Sequence, residues 1–194
     1  MWRTLRIALA ATVLLAAPPV LYAADEQDDL DALHAWRRHP AYRRHLPMPR
    51  QTRDAVESEL NAILRDQTDY RRLRFLLGVI ERKTGRLIGE AILKLAPALR
   101  HRQAEIGWAV AEDLKGKGYA TEIGRALLDA AFGPLKLHRV FAMCSTENLA
   151  SRRVMEKLGM REEGTLREHF RTRERWWSSH LYAVLADEYR KKRR

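Results

Sequence analysis

The stretch Asp113-Leu-Lys-Gly-Lys-Gly-Tyr-Ala-Thr-Glu122 decides the fold, and a mostly apolar segment, residues 123–135, follows it directly. Gly116 and Gly118 remove side chains where a backbone has to approach a ligand closely. The first turn of the following helix offers unpaired N–H groups and the positive end of the helix dipole. The stretch therefore predicts an anion site at a helix N-terminus, and its two lysines favour linked phosphates over a carboxylate.

The composition indicates one globular domain that favours anionic partners. The chain has 194 residues, of which 46% are hydrophobic and 31% charged, enough for one sizeable core. Its formal charge of +11 favours a polyphosphate, RNA, a ribosome or an anionic membrane face, without specifying any chemistry. Residues 190–194 form a basic tail, either frayed or in contact with nucleic acid. The single cysteine, Cys144, ends an apolar run and is interpreted as a core residue.

The first 24 residues have the layout of a secretory signal peptide. Arg3 and Arg6 precede an uncharged run, residues 7–24, and acidic residues follow it. Neither plausible cleavage point has small residues at both specificity positions, and Pro18-Pro19 disfavours a membrane-spanning helix. The rival interpretations are an apolar extension that contains the first strand, with residues 20–22 as the best material for it, and a start codon placed too early.

The rest of the chain predicts a mixed α/β domain. Two helices come first: residues 28–39, ended by Pro40, and a helix capped by Thr52. The apolar stripe of the second helix is assigned to Ala55, Leu60, Ile63 and Leu64. Residues 73–82 and 86–95 predict a hairpin in which Gly85 takes positive φ, and residues 105–110 predict a strand before the glycine loop. After the loop helix come a strand (138–145), a helix (151–158) closed by Gly159, and strands at 160–170 and 176–185.

Three motifs in this order resemble the GNAT acetyltransferase superfamily. They are Glu105-Ile-Gly-Trp108, Lys115-Gly-Lys-Gly-Tyr-Ala-Thr-Glu122, and Asn148-Leu-Ala-Ser151 continuing to Glu156-Lys-Leu-Gly-Met160. The likeness is greatest to the branch that contains the ribosomal-protein N-terminal (alanine/serine) acetyltransferases, and it spans residues 28–189. It implies a central, mostly antiparallel twisted sheet with helices on both faces and a V-shaped splay between the fourth and fifth strands. The expected division is an extension (1–24), the GNAT domain (25–189) and the basic tail (190–194).

The resemblance implies acetyl-CoA as co-substrate, with its pyrophosphate on the loop and its pantetheine arm between the splayed strands. A lysine stands at the loop's first position, where the family has Gln or Arg. The residues that would bind the cofactor are Ala109, Val110, Leu114, Lys115, Gly116, Lys117, Gly118, Tyr119, Ala120, Asn148 and Ser151.

Acetyl transfer to an amine requires a base for the amine and an acid for the departing thiolate. The resemblance puts Glu168 slightly ahead of Glu105 as the base, against the alternative that either is a solvent-facing or ion-paired glutamate. Many members of the family carry, at the position of Met155, a tyrosine that acts as the general acid. Ser151 therefore becomes the candidate acid here, although a role as helix N-cap would also explain a serine at this position. Glu163 is interpreted as structural.

The leading hypothesis is an acetyl-CoA-dependent N-acetyltransferase acting on a protein N-terminus or a small amine. The alternatives are a non-catalytic acyl-CoA-binding or ribosome-associated module and a basic nucleic-acid binder. The expected location is the cytoplasm, with no stable membrane insertion, as a monomer or homodimer. The histidine spacing suggests no metal site. Trp176, Trp177 and Tyr182 are assigned to the packing face of the last strand, with the alternative that one of the rings lines the acceptor pocket. The pairs Arg37-Arg38 and Arg43-Arg44 are assigned either to a basic border of the acceptor site or to an exposed helix face.

Overall fold

The computed structural model describes residues 5–7, 26–45, 51–66, 73–81, 84–172 and 175–191. The strands are β1 (Leu5–Ile7), β2 (Arg74–Glu81), β3 (Leu87–Leu95), β4 (Gln103–Val110), β5 (Arg139–Ser145), β6 (Arg161–Arg171) and β7 (Trp176–Leu185). The helices are α1 (Glu26–Arg38), α2 (Pro40–Arg43), α3 (Arg53–Asp66), α4 (Tyr119–Phe132), α5 (Leu149–Lys157) and α6 (Ala186–Lys191), with 3₁₀ turns at Leu99–His101 and Glu112–Leu114.

The strands form a seven-stranded sheet in the order β1-β2-β3-β4-β5-β7-β6. Neighbouring strands are antiparallel except β4 and β5, which run parallel. The register of that parallel pair begins at Gln103 with Arg139 and ends at Glu105 with Phe141, so the two strands part beyond it. The predicted mixed α/β fold, with its V-shaped splay between the fourth and fifth strands, is confirmed.

The hairpin between β2 and β3 forms where the sequence predicts it. Gly85 has φ of +73°, and its N–H donates to the Glu81 carbonyl at 2.8 Å. A glycine suits this position because a left-handed backbone costs other residues about 1–2 kcal/mol. The same reasoning holds for Gly159, which ends α5 with φ of +82°.

The larger core lies between the sheet and α4. Ile123, Leu127 and Leu128 of α4 have no exposed surface, and each such burial contributes about 1.5–3 kcal/mol. α5 lies against α4 through a close contact, since a Cβ on Gly124 would stand 2.4 Å from Leu158 Cδ1. Cys144 belongs to this core as predicted, and burial raises the pKa of its thiol to about 11.

A smaller core lies on the opposite face of the sheet, where Leu30 and Leu33 of α1 meet Val56 of α3. Thr52 caps α3 as predicted, because its Oγ1 accepts the Ala55 N–H at 3.2 Å. The predicted stripe of α3 is wrong at Ala55, which is exposed, whereas Val56 beside it is 1% exposed. The side chains of Ile63 and Leu64 lie outside the described residues.

The first helix, α1, ends at Arg38, just before Pro40, as predicted. Pro40 itself begins the short helix α2, which was not predicted, at a position that suits a residue lacking an N–H. The first described strand is β1, which pairs with residues 79–81 of β2. Residues 20–22, the sequence-based choice for the first strand, lie outside the described residues.

Candidate active site

The glycine loop connects the end of β4 to the start of α4. Gly116 and Gly118 have φ of +77° and +92°, so both occupy the left-handed region. A Cβ built on either residue would meet nothing within 4 Å. The glycines are therefore required by the backbone conformation, and open space lies beside them where a ligand can approach.

The N-terminus of α4 faces this loop without a side-chain cap. Gly118 is the N-cap residue, and its carbonyl accepts the N–H groups of Thr121 and Glu122 at 3.0 and 3.1 Å. A helix start without a capping side chain, at the positive end of the dipole, binds anions readily. Leu114, Tyr119 and Ala120 of the predicted cofactor set flank this turn, with Leu114 buried at 8% exposure.

Ion pairs brace the loop. Lys115 pairs with Glu112, and Arg86 binds Asp113 through two contacts of 2.9 and 3.1 Å. These hydrogen bonds hold the pKa values of Glu112 and Asp113 below their usual range, so both carboxylates stay ionised. The sequence suggests two mobile lysines, but Lys115 is engaged locally; Lys117 is exposed and makes no ion pair within the described ranges.

The splayed strands lie next to the loop. Ala109 and Val110 of β4 pair with Glu90 and Gly89 of β3 on one side, and the β4–β5 register no longer reaches them on the other. A Cβ on Gly89 would stand 2.5 Å from the Ala109 carbonyl oxygen, so a glycine is needed for this close approach. The edge of β4 that faces the splay is thus placed to receive an extended ligand by backbone hydrogen bonding.

α5 begins on the other side of the splay. Asn148 is its N-cap, because Oδ1 accepts the Ser151 N–H at 3.1 Å. The N-cap interpretation of Ser151 is therefore wrong. The Ser151 hydroxyl is half-buried and makes no hydrogen bond with the described part of the chain. Met155, one turn further, has no exposed surface and packs in the core.

The two candidate bases stand in different environments. Glu105 lies where the β4–β5 pairing ends and forms an ion pair with Lys94 at 3.1 Å. Glu168 is exposed on an irregular part of β6, with φ of +47°, and its N–H donates to Ser178 Oγ at 2.9 Å. Its carboxylate has no ion-pair partner among the described residues. Glu163 pairs with Arg139, in keeping with a structural role.

A buried polar network fixes α1 and α2 to the sheet beside β4. Arg37, 5% exposed, donates through Nε to Glu90 Oε1 at 2.8 Å and through a terminal nitrogen to Glu59 at 2.8 Å. The Tyr42 hydroxyl donates to Glu90 Oε2 at 3.1 Å. Burial raises the pKa of Glu90, with Arg37 acting in the opposite direction, and burial also raises the pKa of Tyr42.

This network contradicts the predicted exposure of Arg37, and it contains a buried carboxylate, Glu90, that the sequence-based predictions did not include. Of the predicted exposed pair, Arg38 is exposed but Arg37 is buried. Glu90 stands alone between apolar residues of β3, and a solitary carboxylate in such a strand is the pattern that indicates a buried cationic partner. Glu90 pairs across the strands with Ala109. The network therefore lies on the face of the sheet to which Ala109 belongs, next to the part of β4 that has separated from β5.

The end of α2 lies near the cleft. The pKa of His45 is lowered, first by burial and then by the charge of Arg44. The charge of Glu147 raises this pKa, whereas those of Lys115 and Arg175 lower it. These charges belong to the glycine loop and to the segments on the far side of the splay. His45 therefore lies within electrostatic reach of charged groups on both sides of the splay.

A left-handed glycine loop, an uncapped helix start and two strands that part beside them form a cleft that suits an extended, anionic ligand. The chain matches the family model "Acetyltransferase (GNAT) domain" over residues 20–161 and belongs to this family. Acetyl-CoA is the acetyl donor of this family.

Two curated relatives come from Bacillus subtilis (strain 168). The uncharacterized N-acetyltransferase YnaD is 41% identical over 44% of this chain and 50% of its own length. The putative ribosomal N-acetyltransferase YdaF is 41% identical over 35% of this chain and 37% of its own length. The matched region thus spans half or less of these relatives.

Solved structures extend the likeness over more of the chain. An acetyltransferase (GNAT family) from Bacillus anthracis has a TM-score of 0.72 at 29% identity, covering 84% of this chain and 92% of its own. Mycobacterium smegmatis RimJ, in complex with CoA-disulfide, has a TM-score of 0.74 at 24% identity over 84% of this chain and 80% of its own, which shows the shared fold. The resemblance predicted from the sequence is confirmed.

Within the described ranges, no helix is long and apolar enough to cross a membrane. The same ranges bring together no group of three or more His, Cys, Asp or Glu side chains that could hold a metal ion.

Proposed function

We propose that this protein transfers the acetyl group of acetyl-CoA to a primary amine, either a protein N-terminus or a small amine, by direct attack. The observation that carries the proposal is the pair of left-handed glycines before the uncapped start of α4, beside strands that part. Loop and helix bind the pyrophosphate, and the parted strands hold the pantetheine arm so that the thioester lies between them.

The cofactor contacts in this proposal come from both sides of the splay. Ala109 and Val110 offer backbone groups on β4, and residues 114–120 surround the phosphates. Across the cleft, Asn148 uses Oδ1 as a helix cap, which leaves its side-chain N–H₂ group for the pantetheine arm. The Ser151 hydroxyl, without a partner in the described chain, donates its proton to the departing thiolate as its oxygen takes up a proton from solvent, so that free CoA thiol and a neutral serine result.

For the base, Glu168 and Glu105 remain the candidates. The ion pair between Glu105 and Lys94 favours Glu168, because a carboxylate already engaged with a cation is a poorer proton acceptor. The residue exchange Glu168→Gln should lower kcat by roughly 10²–10⁴-fold, the usual contribution of general acid–base catalysis. Glu105→Gln, made in parallel, should have the smaller effect; the reverse order would assign the base to Glu105.

The test of the function combines turnover with cofactor binding. Purified protein is incubated with acetyl-CoA and N-terminal peptides, polyamines or aminoglycosides, and free thiol is measured. Thiol release above background with at least one amine is expected. CoA binding without turnover would instead support a non-catalytic acyl-CoA-binding module.

A matched pair of glycine variants tests the cofactor site. Gly118→Ala and Gly85→Ala both place a Cβ at positive φ in open space, so their backbone strain is similar. Only Gly118 belongs to the loop, so Gly118→Ala should weaken CoA binding by about tenfold, since distortion of about 1–2 kcal/mol falls on the site. Equal CoA affinity of both variants in calorimetry would refute the assignment.

Location and macromolecular partners are part of the proposal. We place the reaction in the cytoplasm, where acetyl-CoA is available. Intact-mass measurement of the protein isolated from cells would contradict this if residues 1–24 were missing. Contact with a ribosome or RNA through the basic surface predicts an RNA affinity that falls steeply with salt and is lost when residues 190–194 are deleted.

A further inference from the structure

An apolar strip crosses β5, β7 and β6 on the face that also carries Glu105 and Glu90. We define it as Phe141, Met143, Leu181 and Leu166. The register pairs Met143 with Leu181 and Ser145 with Ser179, and Ser179 in turn with Leu166. Because alternate residues of a strand share a face, these side chains lie on one side of the sheet.

The strip is open and continues from the cleft. Met143 and Leu166 are each 39% exposed, and a Cβ on Gly164, the partner of Leu181, would meet nothing within 4 Å. Phe141 pairs with Glu105 at the point where β4 and β5 part. The strip therefore begins at the splay, where the thioester would lie, and runs away from it toward the sheet edge.

Apart from Glu168, the carboxylates of the described residues that border the cleft are already paired. Glu105 binds Lys94 at 3.1 Å, and Glu147 binds Arg175 through contacts of 2.6 and 2.9 Å. Glu163 binds Arg139, whose guanidinium also stands 5.2 Å above the Phe141 ring. A polyamine that placed its first nitrogen at the splay would bring its next ammonium group to an apolar surface flanked by guanidinium groups.

We propose that the apolar strip holds the body of the acceptor and selects an acceptor with one amine on an apolar body over a polycationic amine. The inference rests on the proposed function and specifies its substrate class. The strip itself contains no carboxylate that could bind a second ammonium group. Glu168 is the proposed base and acts on the attacking amine. Contact with Met143 and Leu166 removes apolar surface from water only when the acceptor's body is apolar.

The test uses two peptide probes that differ at one position, the amides Ala-Leu-Gly and Ala-Lys-Gly, with spermidine as the polyamine. Thiol release should give a kcat/KM for the leucine peptide at least about tenfold above those of the other two. Met143→Glu should lower kcat/KM for the leucine peptide by at least about tenfold and raise it for the lysine peptide. The KM for acetyl-CoA should not change. Leu166→Glu repeats the test from β6.

Trp176→Glu is the matched control. Trp176 is 51% exposed, and the alternation along β7 from Leu181 and Ser179 places its side chain on the face opposite the apolar strip, so it lies outside the acceptor pocket. The same charge introduced there should leave the ratio between the two peptides within about twofold, well below the discrimination expected for one apolar contact.

Three results would overturn the inference. They are equal kcat/KM for the two peptides, a preference for spermidine, or an unchanged ratio in both Met143→Glu and Leu166→Glu while far-UV circular dichroism shows native folding. If spermidine is acetylated and the leucine peptide is not, the inference fails and the acetyltransferase function stands. If no amine releases thiol, both fail.

Discussion

Replacing Arg37 by methionine should destabilise the protein by about 3–5 kcal/mol at pH 7, the usual cost of removing one partner of a buried ion pair. Arg37 and Glu90 have side chains that are 5% and 6% exposed. The variant loses two charge-assisted contacts to Glu90 and one to Glu59. At about 1.5–3 kcal/mol for each hydrogen bond to a charged group, the two contacts to Glu90 alone account for this range. Within the part of the chain that the structure describes, Tyr42 alone would still donate to Glu90.

The pH dependence identifies Glu90 as the cause. Burial already raises its pKa above the usual value, and without Arg37 the rise is larger. A raised pKa means that the folded state binds an extra proton between the unfolded and folded pKa values. Stability therefore falls as pH rises through that window. The deficit of Arg37→Met should be largest at pH 7 and should shrink as the pH falls toward the folded pKa of Glu90.

The assay is urea unfolding followed by far-UV circular dichroism at pH 7 and at mildly acidic pH. Arg38→Met is the control, since Arg38 is the exposed neighbour and should change stability by no more than about 0.5 kcal/mol. Adding Glu90→Gln to Arg37→Met should recover part of the loss, because a buried amide costs less than an unpaired carboxylate. A deficit below about 1 kcal/mol, well under that of a broken buried pair, or one equal at both pH values, would refute this account.

Two further predictions concern the edges of the cleft. Asn148→Ala should cost about 1 kcal/mol by removing the cap on the Ser151 N–H, whereas Asn148→Asp should retain it; equal unfolding midpoints for all three proteins would contradict the cap. Gly89→Ala should cost about 1–3 kcal/mol, because its Cβ would collide with the Ala109 carbonyl oxygen. Gly107→Ala, whose nearest contact is an ordinary 3.9 Å, should be much milder in the same urea titration.

The cofactor half of the site could be predicted because local backbone chemistry encodes it. Gly116 and Gly118 take positive φ in the loop for the same reason that Gly85 does in its hairpin. The cap on α5 was also within reach of the sequence, since Asn148 stands three residues before Ser151, the spacing of an N-cap and the amide that it receives.

The features that the sequence did not predict depend on residues far apart in the chain. Arg37 and Glu90 are separated by 53 positions, and no local pattern pairs them. Their burial follows from how α1 crosses β3, which is decided by the contacts of Leu30 and Leu33 with α3. Arg37 next to Arg38 resembles an exposed basic face until this packing is known.

The backbone at Glu168 bears on the choice between the two glutamates. A non-glycine residue at φ of +47° costs about 1–2 kcal/mol, and here it coincides with a break in the β6–β7 register. Such bulges redirect a side chain and are common beside active sites. The Ser178 hydroxyl accepts the Glu168 N–H and so holds the irregular backbone in place. Glu105, by contrast, follows the regular alternation of β4 and meets Lys94 directly opposite, as an ordinary cross-strand ion pair. A carboxylate that is strained, supported and without an ion-pair partner among the described residues fits a proton acceptor better than a relaxed and paired one. The physical cost at Glu168 therefore supports the proposal that it is the base.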